Sequence, residues 1–216
     1  MASLGIDVGG LRKGLDVVLL STAREVLAAE RGVNVSDIPR LLGSLGPAVV
    51  AIDSPSSWAS GSERATESFI RGLGLHLYQT PWQEAKKLHP FYEWMKSGFD
   101  VFHQAERCGF PLFDGGPVEG HAIEVFPYAS AAVFSGARRP PNTPMRIWRR
   151  RVLYDQGLDV SVLKGPDQID AAMAALTGLM ALTNCFCYEG DPLEGVIVLP
   201  CRLADLPNQF RDPLPI

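Results

Sequence analysis

The chain has 216 residues, 46% of them apolar and 20% charged, enough to bury a substantial core in one unit or at most two small ones. A net charge of −4 and a pI near 5.6 exclude a general attraction to polyanions, so any basic surface has to be local. No run of eighteen apolar residues occurs, and the opening MASLGIDVGG lacks the basic-then-apolar pattern of a leader, so a cytoplasmic protein without a membrane span is expected.

SLGID and LDVVLL are short β-rich runs separated by VGGLRKG, whose glycines supply turn conformations, and they predict a hairpin. REVLAAERGV reads equally as a third strand or a short helix. Ser36 is a good N-cap for a helix over about 37–45, with Gly46 as its stop. AVVAID is a near-continuous apolar run, the mark of a central strand covered on both faces. From Ser54 to about His121 the chain is rich in Gly, Pro and aromatics, with helical stretches at GSERATESFIRGLG and QEAKKLHPFYEWMKSGF, and it reads as an insert beside the core. HAIEVFP is a strand and YASAAVF has helical potential; the loop RRPPNTP follows. Helices over about 145–156 and 167–183 then precede a last strand at GVIVLP. The outline is a mixed sheet with helices packed against it.

Three acids interrupt apolar strands: Asp7 in the first, Asp53 at the end of the central one, and Glu124 in the strand after the insert. Ionised carboxylates are rarely buried unless paired or bound to a cation. Asp167 and Asp170 stand three apart in GPDQIDAAMAALTGLMAL, on one face of a first helical turn, where Asp167 serves equally well as a helix cap. If Asp7, Asp53 and Asp170 converge, a cation or protonation must relieve their repulsion, and oxygen-only ligands select Mg2+ or Mn2+. Two such ions could stabilise the attacking and leaving oxygens of a phosphodiester displacement. The other reading of Asp53 is a loop-initiating acid bonded to nearby backbone amides.

The segments GIDVGG and LDVVLL, VAIDSPSSW, SERATESFIRGLG, AIEVFPYASAAVFSG and PDQIDAAMAAL together resemble a family of uncharacterised proteins classed as predicted nucleases of RNase H-like fold, across nearly the whole chain. The resemblance implies an α/β fold, a mixed central sheet flanked by helices in one domain over 1–216, with a helical insert at about 54–120 between the fourth and fifth strands. It implies a metal-dependent nuclease in which Asp7, Asp53 and Asp170 hold the ions. The Asp-x-x-Asp pair is similar to the last helix of RuvC-type resolvases and adds Asp167 as a helper. Glu124 matches a recurrent family motif and joins the catalytic candidates, while Arg12 and Arg64 fall at the family's basic positions and are the candidate substrate-binding residues. The implied partner is nucleic acid or a nucleotide. The chain departs from the family pattern at DVGG and in its aromatic-rich insert at 76–113.

RIWRRR at 146–151 gathers four arginines around Trp148, and Arg138, Arg139, Lys86 and Lys87 add further charge. Such a cluster holds phosphates and stacks a base, or is a solvated helix face. The four cysteines, Cys108, Cys185, Cys187 and Cys201, lack paired metal-ligand spacing and read as buried thiols. No Gly-x-Ser-x-Gly elbow surrounds Ser54, Ser56 or Ser57, which argues against a serine hydrolase. GIDVGG also resembles the phosphate loop of actin-like sugar kinases, which makes an ATP-dependent phosphotransferase the rival, but the chain carries one copy of the core where those enzymes have two. A catalytically silent binding protein is the third reading.

Overall fold

The structure, a computed structural model, describes residues 1–10 and 13–211. β1 (Ala2–Val8) and β2 (Leu15–Ser21) form the expected antiparallel hairpin. The ambiguous third segment is a strand, β3 (Val26–Val33), on the sheet edge; most of its residues are at least partly exposed, which is why its pattern decided nothing. α1 (Ile38–Leu45) has Asp37 rather than Ser36 at its N-cap, because Ser36 is drawn into a 3-10 turn at Val35–Asp37. Gly46 stops the helix at φ 54°, a left-handed conformation that glycine adopts without cost.

β4 (Val49–Asp53) is followed by the insert, which holds α2 (Ala65–Gly72), α3 (Glu84–Lys87) and α4 (Glu93–Arg107). The helix expected over QEAKKLHPFYEWMKSGF is broken in two. Pro90 has no N–H to donate and disfavours helical backbone at His89, so α3 stops and a 3-10 turn intervenes before α4 runs on to Arg107. β5 (Ala122–Val125), α5 (Pro127–Ser135), α6 (Met145–Asp155), α7 (Pro166–Leu182) and a two-residue β6 (Ile197–Val198) complete the order.

Among the described residues the sheet has six strands in the order β3-β2-β1-β4-β5-β6. β1, β4, β5 and β6 are parallel, and β2 runs against its neighbours. With helices on both faces this is the expected mixed α/β sheet flanked by helices, and β4 is central as its apolar run required. Leu4, Ile6 and Val8 pack with Ile38, Leu41, Val101 and Phe102, residues of α1 and α4, on one face. Ser3, Gly5 and Asp7 alternate with them and face α7. A Cβ on Gly5 would stand 1.9 Å from Ala171 O and 2.4 Å from Ala175 N, and one on Gly178 would stand 2.2 Å from Ser3 Oγ. α7 therefore lies backbone against backbone on β1, an approach that only glycine permits. Among the described residues no helix is long and apolar enough to cross a membrane.

Candidate active site

Two chain features place the first two acids side by side. The parallel register of β1 and β4 pairs Asp7 with Asp53, and side-chain alternation turns both toward α7. The third comes from the close helix: Asp170 directly precedes Ala171, the residue that Gly5 admits. One carboxylate oxygen from each of Asp7, Asp53 and Asp170 lies within 4.8 Å of the others, all three residues being partly buried. Burial pushes the Asp7 carboxyl up to about 9, with the charges of Asp53 and Asp170 adding to the shift. Asp53 is pushed up to about 8 by burial and then by Asp170, although it accepts a hydrogen bond from Asp7 and faces Arg149. Asp170 rises to about 6, burial outweighing the pull of Arg149. Three acids that resist ionising together, with oxygen as the donor throughout, fit a hard divalent cation.

Arg149, one of the RIWRRR arginines, reaches in from α6 to ion-pair with Asp170. Lys13 Nζ stands 2.5 Å from Asp167 Oδ2, and that hydrogen bond raises the lysine's pKa. Asp167, expected as a fourth ligand, is thus engaged by Lys13 beside the group of three. Asp16 is the register partner of Asp7 on β2, an acid that sequence reasoning passed over; it accepts from Arg31 Nε at 3.3 Å and from the Gly32 amide at 3.2 Å. Arg12 lies outside the described residues.

Glu124 and Arg64 sit differently from the expectation. β5 pairs Glu124 with Ile52, not with Asp53, so the alternation sets Glu124 on the other side of the strand. At the strand ends it nevertheless lines the same cleft as Asp53 and Asp170, and its charge adds to the rise of Asp53. There its two oxygens accept from Arg64 Nη1 at 2.9 Å and Nη2 at 2.7 Å, and the Ser56 amide donates to it at 3.2 Å. Arg64, expected at a substrate phosphate, is 1% exposed. Its Nη2 also donates to Gly195 O at 2.8 Å, and Glu67 lies 3.6 Å from Nη1. Burial works against the guanidinium charge, but Glu124, Glu67 and Glu194 together outweigh it and the pKa of Arg64 shifts upward. Glu67 in turn accepts from the amide and hydroxyl of Thr80. This network fastens the insert to β5 and to the loop before β6.

The arginine cluster divides. Arg149 faces the acids, Arg150 donates to Val160 O and Leu163 O, and Arg151 pairs with Asp155. Trp148 is only 6% exposed and stands edge-on to Tyr128, so it is core and offers no free face to a base. The inward arginine carried a signal that was not used: Arg149 lies four residues before the buried Leu153, on the same side of the helix. Cys187 and Cys201 are buried thiols with sulfurs 3.9 Å apart.

Asp53 and Asp170 line a cleft of about 260 Å³, together with Arg149, Glu124 and the aromatic residues Tyr78, Trp94 and Tyr128. Residues 5–193 match a family model described as a protein of unknown function, DUF429. No curated protein matches the chain. Among solved structures, the chain is similar to Thermus thermophilus RuvC in complex with a Holliday junction substrate, at 14% identity and a TM-score of 0.48, over 92% of this chain and 99% of that one. It is also similar to a second structure of Thermus thermophilus RuvC, at 13% identity and a TM-score of 0.48, over 92% and 100% of the two chains.

Proposed function

The chain belongs to the DUF429 family of proteins of unknown function, and we propose from its own site that it hydrolyses phosphodiester bonds with a divalent cation, as a nuclease or nucleotide phosphodiesterase. The observation that carries this reading is the meeting of Asp7, Asp53 and Asp170, brought from two strands and a helix to within 4.8 Å. Asp7, Asp53 and Asp170 would hold Mg2+ or Mn2+, which supplies charge neutralisation and Lewis acidity to a phosphodiester and to the attacking water.

The surrounding residues fix these ligands. Arg149 holds Asp170 in place, and Lys13 does the same for Asp167, which stands ready as a helper at the helix start. Glu124 acts as a positioning residue: through the Ser56 amide and Arg64 it shapes the loop that leaves Asp53. Arg12 is the residue assigned to a substrate phosphate in this reading.

The test is hydrolysis of single-stranded and duplex nucleic acid and of a dinucleotide, with Mn2+ or EDTA, by the wild-type chain and by Asp7→Asn. Mn2+-dependent cleavage that falls about a hundredfold or more in Asp7→Asn is expected, as removing a group aimed at transition-state charge does elsewhere. Cleavage that persists in Asp7→Asn, or in EDTA, overturns the assignment.

A further inference from the structure

The cleft beside the three aspartates has a second character that the metal chemistry does not require. Tyr78, Trp94, Phe126 and Tyr128 line it together with Asp53 and Asp170. Two of these rings are braced from behind, Tyr128 edge-on against Trp148 at 5.5 Å and Tyr78 against Phe91 at 5.1 Å, so the aromatic wall is held in position. An aromatic lining beside a carboxylate cluster suits a flat heteroaromatic ring that carries a phosphate.

Size and charge narrow the ligand. A volume of about 260 Å³ lies at the lower edge of the usual small-molecule range, room for one monomer and not for a stacked duplex. Lys13, Arg64 and Arg149, the described cations nearest the acids, are each paired with a carboxylate, and the whole chain carries a net charge of −4. These three cations, being paired, are not free to track a long phosphate backbone, the interaction that gives polynucleotide binding most of its strength. A base, by contrast, gains from each aromatic face whatever its sequence.

We propose that this cleft takes a single unpaired nucleotide, its base among the four rings and its phosphate at the aspartates. This rests on the phosphodiesterase reading and names its substrate class: a free nucleotide, or the unpaired end of a strand.

The test is binding of uridine and adenosine monophosphate to the full chain, followed by titration calorimetry and tryptophan fluorescence, with ribose 5-phosphate as the probe that lacks a base. Either nucleotide should bind about tenfold or more tightly than ribose 5-phosphate. Tyr78→Ala and Trp94→Ala should each weaken nucleotide binding by about tenfold. Tyr78 is 69% exposed, so its loss leaves folding intact. Competition by a linear single strand but not by a circular one identifies strand ends as the source; failure of both identifies free nucleotides. Equal affinity for ribose 5-phosphate and nucleotide, no effect of Tyr78→Ala, or equally strong competition by a blunt duplex overturns the proposal. Nucleotide binding without any Mn2+ response would leave this inference standing and sink the phosphodiesterase reading instead.

Discussion

Asp7 and Asp53 are register partners on adjacent parallel strands, so their carboxylates rise side by side from one face of the sheet. Folding therefore brings two like charges together before any ligand arrives. Asp7→Asn keeps the shape and removes one charge. In EDTA at pH 8 the variant should melt above wild type, by about 2–4 °C for each kcal/mol of repulsion relieved. With Mn2+ the order should reverse, because wild type gains a ligand that the variant binds poorly. Calorimetric melts in the two buffers check both halves; a variant that melts lower in EDTA would show that these acids are not in conflict.

The pH dependence has a definite sign. Asp170, Asp53 and Asp7 have folded-state values raised to about 6, 8 and 9, above their unfolded value of about 3.9. Their contribution to stability is complete below the unfolded value and is lost as pH climbs through the folded values. In EDTA the melting temperature should fall between pH 6 and pH 9. Mg2+ binds the deprotonated set, so the rise it produces should grow over the same interval. Melts at four pH values with Mg2+ or EDTA check this, and a Mg2+ effect that shrinks toward pH 9 would contradict it.

The three aspartates were legible because a charge inside an apolar strand stands out without knowledge of the fold. Glu124 stood out for the same reason; it lines the same cleft but is paired there with Arg64. Its parity relative to Asp53 is set by the β4–β5 register, which pairs residues some seventy positions apart and leaves no local trace. Arg64 reads as a cation for substrate because it falls at one of the family's basic positions; only the fold shows that it is buried against Glu124 and Glu67. The helix break at Pro90 and the core position of Trp148 were readable in principle, from the missing proline N–H and from the spacing of Trp148 to Val152.

Arg64 makes a further prediction against its reading as a cation for substrate. Arg64→Ala would leave Glu124 and Glu67 buried without their shared counter-charge, a loss of about 3–5 kcal/mol. Arg64→Lys keeps the charge but cannot match both carboxylate oxygens at once, so it should fall between the two. Urea unfolding measures the series. If Arg64→Ala kept wild-type stability and only weakened substrate binding, the residue would belong to the substrate after all.

Gly5 carries the least visible part of the site. The carboxylate cluster needs Asp170 over β1, and the helix can come that close because the residue two before Asp7 has no side chain. Gly5→Ala would drive a methyl group into Ala171 O and Ala175 N, both backbone atoms that cannot rotate away. Either the helix lifts or the strand bends, at about 1–3 kcal/mol or more. A lifted α7 carries Asp170 away from Asp7 and Asp53, so the variant should lose its Mn2+-induced rise in melting temperature along with stability. Gly43→Ala is the control: that glycine lies exposed in α1, a Cβ there meets nothing within 4 Å, and the change should stabilise by about 0.5–1 kcal/mol. Urea midpoints and Mn2+ melts on the two variants separate a local helix effect from the strand–helix approach. Should Gly5→Ala keep both its stability and its response to Mn2+, the backbone contact would not be what brings the third aspartate to the other two.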